Sequence, residues 1–334
     1  MNLIFAKYDE ALHLQQVVRL EQELWKGIDE KLLVAVFRWK YPANAKIRNA
    51  FVALDGELVV GFRGFFINEY RLGREVFSVA VLGDAVVSPH YQRKGIFANL
   101  TKFALDYYAN TDLRYILALS SNSKSSPANI KMGWKPFTTK QFRIGFCWHS
   151  WVGLSHKDDV LKRGSYHGAD IELYRELTPD LISVLSEFDR QTFQDDYMEL
   201  LRNERYWKWR YAHPMWNAKY LIMRRRGVVC GFATFNETDG GFLSKTRVLD
   251  IKTSDDRDKR RLLKAVKYFC TTRCVVIQTS TPQNASNCYV KRAFPLLRKS
   301  KRNNPTDYFL VRKNHGEELE SKDKKWYLNY VDID

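Results

Sequence analysis

The residues of this 334-residue sequence with the most evident chemistry form a short basic turn, Gln92-Arg93-Lys94-Gly95. An apolar run over residues 77–87 precedes the turn and predicts a β-strand, and apolar residues at helical spacing follow it over 96–108. The first N–H groups of a helix have no partner inside the helix and carry the positive end of its dipole. A strand that enters a helix through a basic turn with one glycine therefore predicts a phosphate-binding site. The alternative is a basic turn that is merely solvated.

This stretch resembles the acyl-CoA pyrophosphate loop of the GNAT superfamily of acyltransferases. That loop has Gln or Arg, two further residues, Gly, one residue, and then Gly or Ala. Gln92, Arg93, Lys94, Gly95 and Ile96 fit the pattern, and Phe97 stands where the second small residue is expected. The resemblance implies that residues 92–97 bind acyl-CoA as a co-substrate, with Phe97 changing how closely the helix backbone approaches the phosphates.

The same resemblance implies roles for the strand that precedes the turn. In GNAT enzymes, main-chain N–H groups at the splayed end of this strand hold the thioester. Here these groups would belong to Val86 and Val87, which can equally be residues of the sheet core. A carboxylate on or near the strand commonly removes the proton of the acceptor, and Asp84 is the only acid in the run 77–87. Asp84 also follows Gly83, so a structural hydrogen-bonding role is the alternative.

The usual acid for the leaving thiolate is missing. Many family members have a tyrosine four residues before the glycine that ends the helix after the fifth strand. Counting back from Gly133 gives Asn129, which cannot protonate a thiolate. Tyr91 or water would then serve as the acid, or the thiolate leaves unprotonated. The resemblance also implies that Asn122 contacts the pantetheine of CoA.

The elements that must position these residues follow the GNAT order. Strand material at 3–6, two helical stretches in 10–38 and a hairpin around Asp55-Gly56 precede the long strand and the turn. A strand at 115–119 and a helix closed by Gly133 follow. The predicted fold class is α/β of the α+β type, with a mixed, mostly antiparallel central sheet flanked by helices.

This architecture then starts again. Arg38-Trp39-Lys40-Tyr41 is echoed by Lys208-Trp209-Arg210-Tyr211, and at the same distance from each tryptophan Gly61-Phe62 is echoed by Gly231-Phe232. The alternative is a chance match between two aromatic and basic clusters. An ungapped match that is followed by the same order of elements favours duplication, so we predict two GNAT-like domains.

The duplication predicts a catalytic domain over residues 1–150, a polar linker over 151–168 and a second domain over 169–334. In the second copy Asp250 is the counterpart of Asp84, but the run 255–260 replaces the basic turn with three carboxylates and no glycine. Because carboxylates repel a pyrophosphate, we predict that the second domain is degenerate and serves acceptor binding or structural support.

Two groups of residues are candidates for binding the acceptor. The aromatic and basic cluster of the second domain contributes Tyr206, Arg210 and Tyr211, which could stack on a ring and bind phosphate, with packing in the core as the alternative. The C-terminal tail resembles the W…D-x-D endings of GNAT acyltransferases of surface-polysaccharide pathways. That resemblance implies Asp332 and Asp334 near the acceptor amine, with a solvated chain end as the alternative.

The formal net charge of +16 predicts an anionic partner. Nucleic acid, an anionic membrane surface and phosphorylated small molecules such as CoA or nucleotide sugars all meet that requirement. The five cysteines form neither a C-x-x-C motif nor a Cys/His cluster, so we expect reduced thiols and no metal site. The first residues reach charge too early for a signal peptide, and no apolar run is long enough to span a bilayer, which predicts a cytoplasmic protein without an anchor.

Together these features predict an N-acyltransferase that moves an acyl group from acyl-CoA to the amino group of a nucleotide-linked amino sugar. The chain resembles in particular the sugar N-acyltransferases that build deoxyamino sugars for bacterial surface polysaccharides such as O-antigen. A Fem-like, aminoacyl-tRNA-dependent peptide-forming transferase is one alternative; it needs no CoA loop and usually has a coiled-coil arm, which we do not find. A non-catalytic nucleic-acid binder would gather basic residues on one face, whereas here they are spread along the chain, so neither nucleic acid nor a membrane is an expected partner.

Overall fold

The computed structural model describes residues 2–23, 26–119, 125–147, 164–166, 168–238, 244–281, 296–297, 308–315 and 325–327. The chain divides into two compact units, each of which has its own hydrophobic core. The first unit consists of Met1–Phe137, Ala212–Met215 and Tyr308–Asp323, and the second of Thr138–Tyr211, Trp216–Asp307 and Lys324–Asp334.

The secondary-structure elements are numbered in chain order. Those up to residue 146 are β1 (Leu3–Lys7), α1 (Glu10–Gln22), α2 (Glu30–Lys40), β2 (Ala50–Asp55), β3 (Leu58–Leu72), β4 (Glu75–Val87), a 3₁₀ turn (Pro89–Tyr91), α3 (Ile96–Tyr108), β5 (Leu113–Ala118), α4 (Ser125–Lys131) and β6 (Lys135–Phe146). Those that follow are β7 (Gly164–Tyr166), β8 (Ala169–Tyr174), α5 (Pro179–Gln191), β9 (Tyr197–Leu200), α6 (Glu204–Arg210), β10 (Ala218–Arg225), β11 (Val228–Thr238), β12 (Lys245–Thr253), α7 (Asp256–Phe269), β13 (Cys274–Thr281), β14 (Leu296–Leu297), β15 (Tyr308–Lys313) and β16 (Lys325–Tyr327).

The strands of the first unit pair in the order β1-β2-β3-β4-β5-β15. The pairs from β1 to β4 are antiparallel, β4 and β5 are parallel, and β5 and β15 are antiparallel. The sheet is therefore mixed and mostly antiparallel. The parallel pair requires a crossover, which α3 supplies, so the turn before α3 lies at the end of β4.

Helices cover both faces of this sheet. On one face Val17 and Val18 of α1 and Phe37 of α2 pack with Phe62 of β3, all fully or almost fully buried. On the other face α3 contributes a second cluster, which includes Leu100, Ala104 and Tyr108 together with Phe65 of β3. Each cluster collects apolar residues at alternate positions of the strands and at helical spacing, the two periodicities that the sequence shows.

The second unit repeats this arrangement. The strands β8, β10, β11, β12 and β13 pair with the same directions as β1 to β5, including the single parallel pair β12 and β13. The helices α5, α6 and α7 occur at the same places in the order as α1, α2 and α3. The predicted fold class, two mixed sheets flanked by helices, is confirmed.

The boundaries of the units differ from the predicted division near residue 150. The first segment of the first unit ends at Phe137, because from Thr139 onward β6 pairs with β13 and belongs to the second unit. The strand next to β5 in the first unit is instead β15, which comes from late in the chain. Pairing between strands that are distant in the chain leaves no local sequence pattern. Residue spacing alone therefore could not reveal that β6 pairs with β13 and that β15 pairs with β5. Most of the predicted linker, 151–168, lies outside the described residues.

Two further properties bear on function. Within the described ranges, no helix is long and apolar enough to cross a membrane. In the same part of the chain, no group of three or more His, Cys, Asp or Glu side chains is placed to hold a metal ion.

Candidate active site

The basic turn has the backbone of a phosphate-binding site. Gly95 is the N-cap of α3 with φ of 76°, and Arg93 also has a positive φ, of 61°. A left-handed conformation is strained for a residue with a side chain, and such strain clusters at functional sites, where it aims main-chain N–H groups. Gln92, Arg93, Lys94 and Gly95 are all exposed, so a ligand can reach the turn from solvent.

The N-terminus of α3 carries no capping side chain. Every other α-helix with a described N-cap donates a main-chain N–H there to the capping side chain, which belongs to Asp9, Asp29, Thr178, Asn203 or Asp255. Gly95 offers no such group, and the first turn of α3 holds no acid. The first N–H groups of α3 therefore keep their capacity for an external acceptor, which is the property that a phosphate needs.

The turn is anchored at both ends. Ile96 is buried, and its side chain packs over Gly61 of β3, where an added Cβ would lie 3.0 Å from Ile96 Cγ2. Gln92 Nε2 donates a hydrogen bond of 3.2 Å to the carbonyl oxygen of Val87 at the end of β4. Phe97, the residue that departs from the family pattern, lies with its ring against Arg63 of β3. Because this large side chain is directed toward the sheet, it does not cover the outer side of the turn.

The end of β4 extends past the ladder with its parallel neighbour. The described ladder between β4 and β5 runs from Ser78 to Val81, and β5 ends at Ala118, whereas β4 itself continues to Val87. On its other side β4 stays paired with β3, with Val86 opposite Phe62. Beyond Leu82 the edge of β4 on the β5 side therefore has no ladder partner among the described strands, so main-chain groups of Val86 and Val87 on that edge can meet a ligand. The side chain of Val86 itself is core.

Asp84 lies on the face of β4 that packs against α2, opposite the face covered by α3, and it forms a network with the end of α2. Tyr41 Oη donates to Asp84 Oδ2 over 2.8 Å, and Lys40 Nζ lies 3.2 and 3.1 Å from the two carboxylate oxygens. The main-chain N–H of Asp84 donates in turn to Tyr41 Oη over 3.3 Å. The carboxylate is 14% exposed, so it is held on one side and still reaches the surface.

Two glycines make room for this network. A Cβ on Gly64 of β3 would overlap Tyr41 Oη, and a Cβ on Gly83 would lie 2.9 Å from the same atom. Burial raises the pKa of the Tyr41 phenol well above its usual value, and the adjacent Asp84 carboxylate raises it further. Tyr41 is therefore a neutral hydrogen-bond donor at physiological pH, and it fixes the orientation of the carboxylate without competing for its proton.

Tyr91, the side chain considered as the thiolate acid, is bound elsewhere. Tyr91 Oη donates to Asp55 Oδ2 over 3.0 Å, and this hydrogen bond is the main cause that raises the pKa of Tyr91. Asn129, at the position where the family has its tyrosine, is 2% exposed and lies in α4, where its main-chain carbonyl oxygen accepts from the N–H of Trp134 over 3.1 Å. Asn122, the predicted pantetheine contact, lies outside the described residues, as do Asp332 and Asp334 of the tail.

The second copy has lost the network around the carboxylate. Asp250, the counterpart of Asp84, is 0% exposed and forms a bidentate ion pair with Arg202, at 2.5 Å to Nε and 3.2 Å to Nη2. Tyr211, the counterpart of Tyr41, shares a hydrogen bond of 2.6 Å with Thr234 Oγ1. Thr234 stands where the first copy has Gly64, so the threonine takes up the hydroxyl that would otherwise reach the aspartate.

The second copy has also lost the turn. Leu262 is the counterpart of Ile96, since each packs over the hairpin glycine of its own copy, Gly231 or Gly61. However, α7 begins at Asp256, more than a helical turn before Leu262, and Asp255 caps it. Helix therefore occupies the positions that form the basic turn in the first copy. The added helix gives the prediction of a degenerate second domain a further physical argument beside the acids.

The predicted acceptor residues of the second unit are buried. Tyr206, Arg210 and Tyr211 are 7%, 3% and 9% exposed, and Trp207 stacks on Tyr211 with ring centroids 5.2 Å apart. The Arg210 guanidinium lies 4.8 Å from the centre of the Trp216 ring. The three side chains therefore pack in the core, which is the alternative to the predicted ligand-binding surface, and the prediction that they bind the acceptor at a surface is corrected.

Sequence reasoning missed the partners of Asp84. Lys40 and Tyr41 belong to the repeated aromatic and basic cluster, and no local pattern links that cluster to a carboxylate on a distant strand. A signal is present in the sequence, because Tyr41 recurs as Tyr211 and Asp84 as Asp250. Two pairs that recur together in a duplicated chain indicate positions that lie near each other in the fold.

Comparison with known proteins agrees with this geometry. Residues 9–135 match the family described as Acetyltransferase (GNAT) domain. No protein among the curated sequences matches the chain. The structure resembles a GCN5-related N-acetyltransferase from Anabaena variabilis, with a TM-score of 0.65 and 12% identity over 94% of this chain and 73% of that chain. It also resembles a GCN5-related N-acetyltransferase from Kribbella flavida, with a TM-score of 0.61 and 12% identity over 93% of this chain and 71% of that one.

A third solved structure has the duplicated architecture. It is a tandem GNAT protein from the clavulanic acid biosynthesis pathway, with a TM-score of 0.55 and 16% identity over 95% of this chain and all, 100%, of that chain. At such identities the likeness shows the fold. The segment that contains the basic turn and Asp84 thus matches the GNAT acetyltransferase domain model, and a second unit with a GNAT-like fold follows it. The class that this fold and site define is the acyl-CoA-dependent N-acyltransferases.

Proposed function

We propose that this protein transfers an acyl group from acyl-CoA to the amino group of a nucleotide-linked amino sugar. The observation that carries the acyl-CoA half is the turn before α3, which combines an uncapped helix N-terminus, two left-handed residues and two exposed basic side chains, Arg93 and Lys94. Such a turn suits the diphosphate of CoA, because main-chain N–H groups and cations can surround the phosphate oxygens together.

The remaining roles follow from position along β4. The residues 92–97 hold the diphosphate, and the main chain of Val86 and Val87 holds the thioester at the end of β4 beyond its ladder with β5. Asn122 would contact the pantetheine. The bound co-substrate supplies an activated acyl carbonyl.

Asp84 is the proposed general base. The acceptor nitrogen forms a bond to the acyl carbon, the carbon–sulfur bond breaks, and the sulfur departs with its electron pair. Asp84 takes the proton that the nitrogen releases. Lys40 and Tyr41 hold the carboxylate in place on the face of β4 opposite α3, and its 14% exposure leaves a path for the acceptor.

The net charge of the chain supports the proposal that the acceptor is a nucleotide-linked amino sugar. A net charge of +16 favours substrates that carry phosphate on both sides of the reaction, as acyl-CoA and a nucleotide sugar do. In place of the buried Tyr206, Arg210 and Tyr211, we propose that Asp332 and Asp334 contact the acceptor amine. An ammonium group is well recognised by paired carboxylates.

The proposal is tested by thermal unfolding with acetyl-CoA, a nucleotide-linked amino sugar, tRNA and duplex DNA. A ligand at a hundred times its dissociation constant stabilises a protein by about 2.7 kcal/mol, so we expect a clear shift with acetyl-CoA and with the amino sugar. A shift with tRNA but not acetyl-CoA would instead support the peptide-forming transferase. A shift with DNA alone would support the nucleic-acid binder.

A matched pair of variants tests the turn. Gly95→Glu places a carboxylate and a side chain at a left-handed position among the phosphate-binding groups, and we expect it to abolish the acetyl-CoA shift. Gly73→Glu makes the same change at the β3–β4 hairpin tip, where Gly73 also has a positive φ, of 57°, and an added Cβ would meet nothing. Gly73→Glu should keep the shift. An unchanged shift in Gly95→Glu would contradict the assignment of the turn.

A further inference from the structure

Arg63 is a buried cation beside the proposed phosphate site. It lies on β3 opposite Ala85 of β4 and is 3% exposed. Its guanidinium carbon is 5.2 Å from the centre of the Phe65 ring and 5.3 Å from the centre of the Phe97 ring. Phe97 belongs to the first turn of α3, so the positive charge lies under the N-terminus of that helix.

Among the residues that the structure describes, Arg63 forms no ion pair. Its Nε and Nη2 are buried and lack a hydrogen-bond acceptor throughout the described part of the chain. The titratable groups that act on it are Tyr41, Tyr108 and, most weakly, Asp84. Both tyrosines have pKa values raised by burial and are neutral, and Asp84 is already paired with Lys40. Burial lowers the pKa of Arg63 to about 10, so it remains charged at neutral pH.

An unpaired buried cation near the positive end of a helix is unfavourable in the free protein. A protein that keeps one in its core has a use for it, since an apolar residue of similar size would be more stable there. The second copy makes this comparison directly. Ala233 holds the position two residues after Gly231 that Arg63 holds after Gly61, and the second copy has no basic turn. The cation and the turn are present together in one copy and absent together in the other.

We propose that Arg63 is a positioning residue for acyl-CoA, which supplies a buried positive charge beneath the first turn of α3 to the diphosphate bound above it. This inference rests on the proposed function. Phe97 separates the guanidinium from solvent, and this explains a large residue where the family pattern has a small one. Arg93 and Lys94 are exposed and are screened by salt, whereas the charge of Arg63 acts through the low-dielectric interior and is screened much less.

The test compares the binding of CoA and of pantetheine, which lacks the diphosphate, by titration calorimetry. Arg63→Met keeps an apolar stem against Phe65 and Phe97 and removes the charge. We expect it to weaken CoA binding about tenfold, which corresponds to about 1.4 kcal/mol. Pantetheine binding should not change. Because the lost charge is buried, the tenfold deficit should persist at high salt, where the contribution of Arg93 and Lys94 declines.

Two controls separate charge from structure. Arg74→Met removes an exposed positive charge at the opposite end of the same β3–β4 hairpin, and it should leave CoA affinity unchanged. Arg63→Lys keeps a cation and should recover most of the lost affinity. Without ligand, Arg63→Met should unfold at the same temperature as the wild type or higher, since it removes an unpaired buried charge.

Results that differ from these expectations contradict the role of Arg63 in binding the diphosphate. Equal CoA affinity in the wild type and Arg63→Met would show that the charge does not reach the diphosphate. An equal loss for CoA and pantetheine, or an Arg63→Met protein that is destabilised or fails to fold, would show that Arg63 serves packing. If the wild type itself binds no CoA, the proposed function fails. If the wild type binds CoA and the variant binds it equally well, only the role of Arg63 fails.

Discussion

Tyr41, at the end of α2, donates its hydroxyl hydrogen to Asp84 of β4 over 2.8 Å, and Gly64 and Gly83 leave the space for that hydroxyl. This relationship separates the two copies of the fold. In the second copy the corresponding Tyr211 is bound to Thr234, and the corresponding Asp250 is fully buried against Arg202. The first copy thus holds a carboxylate at a fixed orientation with access to solvent, whereas the second has enclosed it.

Tyr41→Phe should lower turnover with little effect on acyl-CoA affinity. The change removes one hydrogen bond to the carboxylate of Asp84. Because the proposed base is then less firmly oriented, we expect kcat to fall about tenfold. Stability should fall by about 1 kcal/mol, the ordinary contribution of such a bond. The check is steady-state kinetics with calorimetry of CoA binding.

The matched control for this change is Tyr211→Phe. It removes the equivalent hydroxyl in the second copy, where the partner is Thr234. We expect a similar loss of stability and unchanged kcat. Equal losses of kcat in both variants would show that the tyrosine acts only through folding.

Asp84→Asn should lower kcat about a hundredfold, the lower range of general base catalysis, while acyl-CoA affinity changes little. Asparagine keeps the shape and can still accept the hydrogen bond from Tyr41, but it cannot take a proton. The pH dependence of kcat/KM is the decisive measurement, because its acidic limb reports the base. A variant with the same pH–rate profile as the wild type would leave Asp84 with a structural role only.

The sequence was enough to predict the strand, turn and helix from 77 to 108, because hydrophobic period and turn chemistry are local. It also predicted the second copy, since Gly61 and Gly231 follow their tryptophans at equal spacing. It did not predict that β6 and β15 complete the sheets of the units as they do, because pairing between distant edges has no local signature. Arg63 was overlooked although it interrupts an apolar strand, which is itself a signal for a buried functional charge.

His13 predicts a pH dependence of stability. Burial lowers its pKa in the folded protein, and its Nδ1 accepts a hydrogen bond of 2.9 Å from the N–H of Asp9 at the start of α1. Because the folded pKa lies below the value of about 6.5 for the unfolded chain, the unfolded chain takes up the proton first. The stabilisation that the buried, neutral His13 provides is therefore present above about pH 6.5, and it declines as the pH falls below that value.

The measurement is urea unfolding of the wild type and His13→Gln at about pH 7.5 and about pH 5.5, on either side of the ordinary histidine pKa. The difference in unfolding free energy between the two proteins should narrow at the lower pH. His90→Gln, at an exposed position, should follow the wild type throughout. A difference that does not vary with pH would contradict the role of His13.

Arg202→Met should destabilise the second unit by about 3–5 kcal/mol, because it leaves the carboxylate of Asp250 buried without its ion pair. The double variant Arg202→Met with Asp250→Asn should recover a large part of that loss, since the uncompensated charge is then gone.

Acetyl-CoA binding should be retained in the folded fraction of both variants, because the turn before α3 is in the other copy. Denaturant unfolding gives the free energies, and calorimetry gives the binding. If the single variant lost no more stability than an ordinary surface substitution, the ion pair between Arg202 and Asp250 would not be what stabilises the buried carboxylate of the second copy. If acetyl-CoA binding disappeared while the protein stayed folded, the second copy would not be the degenerate one.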